Sequence, residues 1–227
     1  MKQEVKYWYL RSYNLFSNLN HSQLNDICEI ATFRMARRGD TVFNPHQTSK
    51  NVYFLIEGKI KISENEASGD ELLKDVIREG DLFGEFTLGE PEKDSTEFAK
   101  VISREAIYCS FTMAQFEEIL VNYPTLAIRF SKEVGLRLRR LEHRYANLVL
   151  KDVRHRLLDF LKSWAITEGQ NVAGKICVNN YLTQSDIADL ISTSRQSVTS
   201  ILNELEHDGT IAYNRRQIVF NDMAKLG

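Results

Sequence analysis

The sequence predicts an α+β chain in three parts: a barrel or sandwich of short strands, one long helix, and a closing pair of short helices followed by a β-hairpin. Three observations predict it. Glycine-bounded β-like runs recur between residues 33 and 111, a seven-residue apolar repeat starts at Pro124, and two helix N-cap signatures stand close together at Thr183 and Ser194.

Composition sets the outer bounds. A chain of 227 residues, 43% hydrophobic and 26% charged, is long enough for two modest cores joined by a connector. Its formal net charge of -2 carries no basic signature, so contact with a polyanion has to come from local placement of cations. The three cysteines, Cys28, Cys109 and Cys177, are far apart and form no CxxC pair. That suits reduced thiols in a cytosol. Residues 1–10 mix charges and aromatics where a secretory signal needs an apolar stretch and a cleavage site. No stretch approaches the ~18 to 20 apolar residues needed to cross a bilayer. The expectation is a cytoplasmic protein without a membrane partner.

The strands come first. Val52-Tyr53-Phe54-Leu55-Ile56, Lys59-Ile60-Lys61-Ile62 and Ala106-Ile107-Tyr108-Cys109-Ser110-Phe111 are short and rich in β-formers, and Gly39, Gly58, Gly69 and Gly80 bound several such runs. Before them, Leu15-Phe16 and Leu24, Ile27, Cys28 and Ile30 predict a short helical lead-in packed on the barrel.

From Pro124 the period changes. Ala127, Ser131, Val134, Leu138, Leu141, Tyr145 and Leu148 alternate steps of four and three, a seam of about three heptads. Flanked by Arg137, Arg139, Arg140, Glu142 and Arg144, so narrow a seam fits a parallel helix pair between two copies of the chain. The alternative is one amphipathic helix lying on its own barrel. A hinge follows near residues 147–151, Asp152 can cap a further helix that runs through Trp164 towards Gly169, and Lys175-Ile176-Cys177-Val178 predicts a short strand.

In the closing segment Thr183 with Asp186 resembles a capping box, with Asp in place of the preferred Glu or Gln. That helix stops at Ile191-Ser192-Thr193, and Ser194 caps a second one ending near Glu206. Two short helices around such a turn form a helix-turn-helix. The second helix separates into faces: Val198, Ile201, Leu202 and Leu205 on one side, and Arg195, Gln196, Thr199, Ser200 and Asn203 on the other. An arginine near the start of such a helix can donate twice to guanine O6 and N7, and Gln196 can pair with adenine N6 and N7. The hydroxyls of Ser197 and Thr199 suit phosphate contacts. The hairpin from Asp208 to Phe220 reads as a wing with Arg215 and Arg216 at its tip.

The order of these parts resembles the family of cyclic-AMP receptor and fumarate-nitrate reduction regulators over nearly the whole chain. The motifs carrying the resemblance are Gly39, Gly58 and Gly80-Asp81-Leu82-Phe83-Gly84-Glu85 in the barrel, Asn147-Leu148, Asp152-Val153 and Arg156-Leu157 at the hinge, and Thr193-Ser194-Arg195 at the start of the second helix. The resemblance implies a sensory β-roll of jelly-roll type over residues 1–123, a dimerisation helix and hinge over 124–150, and a winged helix-turn-helix over 151–227. It also implies a homodimer on a palindromic double-stranded operator, with RNA polymerase and an unidentified small-molecule effector as further partners.

The effector end departs from the pattern. Members that bind cyclic AMP follow the Gly-Glu pair with an Arg-Ser or Arg-Thr that holds the cyclic phosphate. Here Gly84-Glu85-Phe86 is followed by Ser95-Thr96. The missing guanidinium removes a charge-assisted contact worth about 1.5 to 3 kcal/mol, and Glu92 and Asp94 stand beside the site. Leu141-Glu142 replaces the Thr-Ser pair that touches the base across the dimer. Cyclic AMP is therefore not the expected effector, and Glu85 has the alternative role of capping a local helix. Cys28 stands alone where an iron-sulfur member has clustered cysteines, His21 and His46 offer only isolated haem donors, and no cofactor or metal is expected. The reading end departs as well, because Gln196 and Ser200 replace a Glu and an Arg of the cyclic-AMP receptors, which implies a different half-site. Ser192 occupies a turn position where glycine is common.

Two other function classes find less support in the residues. The five histidines, His21, His46, His143, His155 and His207, show no paired ligand spacing, and no Walker loop, GxGxxG or nucleophile motif occurs, so catalysis is not expected. A signalling adaptor whose winged helix contacts protein is the other alternative, and the exposed Arg195-Gln196 and Arg215-Arg216 pairs favour DNA over it.

Overall fold

A computed structural model describes residues 2–44, 50–65, 69–84 and 96–226. The chain divides into two compact units, Met1–Leu138 and Arg139–Gly227. The first begins with α1 (Gln3–Ser12), a 3-10 turn (Asn14–Phe16) and α2 (His21–Ile30). Asn20 caps α2 reciprocally with Gln23, each side chain accepting from the other's amide at 3.0 Å. The strands follow: β1 (Thr32–Arg37), β2 (Thr41–Phe43), β3 (Asn51–Glu57), β4 (Lys59–Asn65), β5 (Glu71–Arg78), β6 (Leu82–Gly84), β7 (Glu97–Val101) and β8 (Glu105–Thr112). Then come α3 (Met113–Asn122) and α4 (Pro124–Leu150). The sequence pattern starts the helical lead-in only at Leu15; α1 is an addition. Its Tyr7-Trp8-Tyr9 run blurs the period, and Leu10 is the residue it buries.

The strands form two four-stranded antiparallel sheets in the orders β1-β8-β3-β6 and β2-β7-β4-β5. Apart from the β4-β5 hairpin, successive strands alternate between the sheets in the manner of a jelly roll. Gly58 makes the corner between β3 and β4 at φ +97°, and a Cβ there would lie 2.5 Å from the Glu105 carbonyl oxygen. Only glycine fits.

Two cores share the first sheet. Val52, Phe54 and Ile56 of β3, with Ile107, Cys109 and Phe111 of β8, face a helical cover that includes Leu10, Phe16, Leu24, Ile27, Phe116, Leu126 and Phe130. The alternate residues, Tyr53 and Leu55 with Ala106 and Tyr108, face the roll interior together with Ile60, Ile62, Ile77 and Phe83. Phe43, Tyr53 and Phe83 stack there at 5.0 to 6.4 Å between centroids. Cys28 and Cys109 lie in the helical core, and burial raises both thiol pKa values above the ordinary range.

Tyr13 pins the lead-in to the roll. Its hydroxyl sits 2.8 Å from the Leu55 carbonyl and 2.6 Å from that of Asp81, and burial pushes its pKa well up. The same two residues are joined through the Leu55 amide and the Asp81 carbonyl at 3.0 Å.

The second unit contains the end of α4, then α5 (Val153–Glu168), β9 (Gln170–Val172), β10 (Lys175–Asn179), α6 (Gln184–Leu190), α7 (Arg195–His207), β11 (Ile211–Tyr213), β12 (Gln217–Phe220) and a 3-10 turn (Met223–Leu226). Its sheet has the order β11-β12-β10-β9. Leu157, Leu161, Trp164, Val178, Ile187, Val198, Leu202, Ile218 and Phe220 bury a core between helices and sheet. Asp152 caps α5 as expected, accepting from the His155 amide at 2.8 Å.

Tyr13→Phe should lower the unfolding free energy by about 1 kcal/mol, since the one hydroxyl proton shared by the two carbonyls is lost while each keeps an amide donor. Urea unfolding with an unchanged midpoint would show that the hydroxyl adds nothing.

Candidate nucleic-acid interface

The helix pair is built from its caps. Thr183 Oγ1 accepts from the Asp186 amide at 3.1 Å and the Asp186 carboxylate accepts from the Thr183 amide at 2.6 Å, so the shorter Asp closes the box. At the other end of α6 the Thr193 amide reaches the Ala188 carbonyl at 2.9 Å and the Ser192 amide reaches that of Asp189 at 3.1 Å. This is a Schellman closure. It requires a left-handed residue, and Ser192 fills that position at φ +54°. Ser194 then caps α7, accepting from the Ser197 amide at 3.1 Å, with the two hydroxyls 2.9 Å apart.

The inward face of α7 buries Val198, Leu202 and Leu205 and half-buries Ile201. Outward, a shallow surface depression is lined by Ser194, Arg195, Gln196, Thr199, Ser200 and Asn203. Arg195, Gln196, Ser200 and Asn203 are exposed, whereas Ser197 is half-buried in the cap. The Thr199 hydroxyl lies 2.6 Å from Gln184 Oε1 and 2.8 Å from the Arg195 carbonyl, so its one proton is used inside the protein to join α6 to α7. Arg154 of α5 reaches Glu204 of α7 at 2.6 Å.

Arg215 and Arg216 are exposed between β11 and β12. Asn214 shapes that tip: its Oδ1 accepts from the amides of Arg216 at 2.8 Å and Gln217 at 2.9 Å, and its carbonyl accepts from Asn180 Nδ2 at 2.9 Å. Sequence reasoning missed Gln184, Arg154 and Asn214, because each acts through a partner outside its own periodic face. An Asn just before a pair of arginines in a hairpin is a turn signal that could have revealed Asn214.

On α4 the seam divides. Leu126 and Phe130 are buried in the unit's own core, and Ala127 packs partly against it. From there on the apolar positions lie open: Val134, Leu138, Leu141, Tyr145 and Leu148 are all exposed, Leu138 to 58% and Leu141 to 54%. Ser131 and Glu142 are exposed too. The first turns of α4 thus lie on the roll, and its later apolar positions are open to solvent in the single chain. Arg137, between them, donates to the Leu82 carbonyl at 3.1 Å and faces Asp75 at 3.8 Å.

Of the residues expected at an effector pocket, Glu85, Phe86 and Ser95 lie outside the described residues, as do Glu92, Asp94 and His46. Gly84 pairs with Val52 at φ +93°, and a Cβ there would meet the Asn51 carbonyl oxygen at 2.5 Å. Thr96 is exposed and donates to the Glu64 carboxylate, whose pKa is lowered first by that bond and then by Lys74. Lys74 bridges Glu64 at 3.1 Å and Glu97 at 2.5 Å. Among the described residues no three His, Cys, Asp or Glu side chains form a group able to hold a metal, and no helix is long and apolar enough to cross a membrane.

Comparison with known proteins decides the family. Residues 33–123 match the cyclic nucleotide-binding domain and residues 155–227 the Crp-like helix-turn-helix domain. The chain is similar to the CRP-like cAMP-activated global transcriptional regulator of Mycobacterium tuberculosis, at 27% identity over 83% of this chain and 84% of the relative. The chain belongs to the Crp/Fnr family of transcription regulators. The global nitrogen regulator of Synechocystis sp. is another relative, 25% identical over 83% of this chain and 84% of its own. Among solved structures, a CooA mutant from Carboxydothermus hydrogenoformans shares the fold with a TM-score of 0.74 at 22% identity, covering 96% of this chain and 95% of that one. FixK2 from Bradyrhizobium japonicum does so at 0.70 and 20%, covering 87% and 96%. As a Crp/Fnr member the chain is a DNA-binding transcription regulator, and the jelly roll is its cyclic nucleotide-binding-like domain.

Proposed function

We propose that this Crp/Fnr regulator acts as a homodimer that reads a palindromic operator through α7, and that its β-roll answers to an effector other than cyclic AMP. In this reading residues 1–123 sense, 124–150 pair the two copies, and 151–227 bind DNA, with RNA polymerase as a further partner. The outward face of α7 carries the reading: Arg195, Gln196, Ser200 and Asn203 are exposed together over one depression, on a helix whose other face is buried. Arg195 and Gln196 are the base-reading pair. Thr183, Ser194, Ser197 and Thr199 position the helix and its phosphate contacts, and Arg215 and Arg216 meet the backbone from the wing.

Pairing follows from the uncovered part of the seam. Leu138 and Leu141 are more than half exposed in the single chain, and a partner helix on the same heptads removes them from water. Two α7 helices then lie about 34 Å apart, in successive major grooves on one face of the duplex. An effector in the roll acts by favouring one arrangement of that pair.

Against cyclic AMP stands the chemistry around Thr96. The relative from Mycobacterium tuberculosis is cAMP-activated by name. Here Thr96, the position after Ser95, donates to the Glu64 carboxylate, and the nearby Lys74 is already shared between Glu64 and Glu97. An anion brought there finds a serine in the sequence where the cyclic-AMP receptors supply a guanidinium, and a lysine already paired with two carboxylates.

Leu138→Glu should give monomers by sedimentation with little operator affinity; a variant that remains a fully binding dimer would overturn the pairing. Arg195→Ala should cost about 1 to 3 kcal/mol of operator binding and relax one base position in a random-site selection. An unchanged preference counts against Arg195 as the base reader. Cyclic AMP at saturating concentration should shift the melting temperature by less than about 1 °C, because a ligand stabilises only the state it binds, and a large shift would refute the effector reading.

A further inference from the structure

One guanidinium joins two backbone segments far apart in the chain. Arg156, in the first turn of α5, donates from Nη1 to the Lys151 carbonyl at 2.8 Å, from Nε to the Ile191 carbonyl at 3.0 Å and from Nη2 to the Ser192 carbonyl at 3.2 Å. Lys151 directly follows α4, and its amide still closes on the Asn147 carbonyl at 3.0 Å. Its carbonyl therefore moves with the end of that helix. Ile191 and Ser192 form the turn that launches α7, and their amides are already bound to the carbonyls of Ile187 and Asp189. The carbonyls of the same two residues are those that Arg156 takes.

The chemistry selects arginine. Nε and Nη2 lie on one edge of a rigid planar fork and meet consecutive carbonyls, while Nη1 points to the third. A lysine ammonium keeps the charge but cannot hold that geometry. Ser192 adds a reason for the tie, since a residue with a Cβ in the left-handed region is strained and stays there only where the contacts around it hold it.

We infer that Arg156 is a positioning residue that fixes the direction of α7 against the end of α4, and so sets the half-site spacing a dimer accepts. The inference rests on the dimeric reading above. All three donors face backbone carbonyls, so the role differs from a phosphate contact.

The test uses the full-length protein and operator duplexes obtained by random-site selection, with half-sites at the selected spacing or moved by one base pair either way. Wild type should prefer the selected spacing by roughly tenfold, the scale of one disrupted base-pair contact. In Arg156→Lys and Arg156→Gln that ratio should fall to about threefold or less, with the dimer mass unchanged. The dependence of affinity on salt should also stay as in wild type, because no phosphate contact is removed. A variant that keeps the wild-type ratio overturns the inference. So does a salt slope smaller by about one, which would mark Arg156 as a phosphate ligand. Wild type binding all spacings equally would overturn the dimeric reading itself, and the inference with it.

Discussion

A strand without an exposed face has to be covered twice, and β3 and β8 impose that condition on the whole N-terminal unit. Residues 52, 54 and 56 need the helices, whereas Tyr53 and Leu55 need the second sheet, so neither core forms without the strand that belongs to both. The helical lead-in is thus half of the folding problem. Tyr13 reaches across it to the carbonyls of Leu55 and Asp81, and Phe16 and Phe54 pack at 5.2 Å beneath it. The start of α4 sits on the same layer through Leu126 and Phe130, so the long helix leaves the roll from a position that the roll's central strands dictate.

Much of this was legible because local rules carry it. The runs 52–56 in β3 and 106–111 in β8, apolar but for Ser110, announce strands, and the glycines at the ends of runs mark corners that only they can turn. Sheet order was not legible: β1 beside β8 pairs the first and last strands of the roll, and nothing in either segment names its neighbour. The strand β9 escaped notice for another reason. All three of its residues are exposed, so it leaves no alternation to detect.

The same division runs through the interface. Caps are local, and Thr183, Asp186 and Ser194 could be assigned from spacing alone, whereas Ser192 was marked only by the family resemblance, as standing where glycine is common. The hydroxyl of Thr199 could not. Its outward position on the helix wheel is correct, yet its proton is held by Gln184 and a backbone carbonyl rather than offered to solvent. Arg156 lies at the hinge that the family resemblance marks, but its acceptors at 191 and 192 have no sequence signature at all, since hydrogen bonds between distant segments follow no period. Of the residues expected at the effector site, Gly84 and Thr96 could be placed in the roll and Leu141 and Glu142 on α4, while Glu85, Phe86 and Ser95 fall outside the described residues.

The outward face of α7 offers hydroxyls, amides and a single guanidinium, on a chain whose net charge is -2. Loose attachment to arbitrary duplex draws on counterion release, and each cation withheld weakens it. On the proposed reading the cations that hold arbitrary duplex are therefore those of the wing, Arg215 and Arg216, while the share contributed by α7 depends more on hydrogen-bond geometry than on ionic conditions.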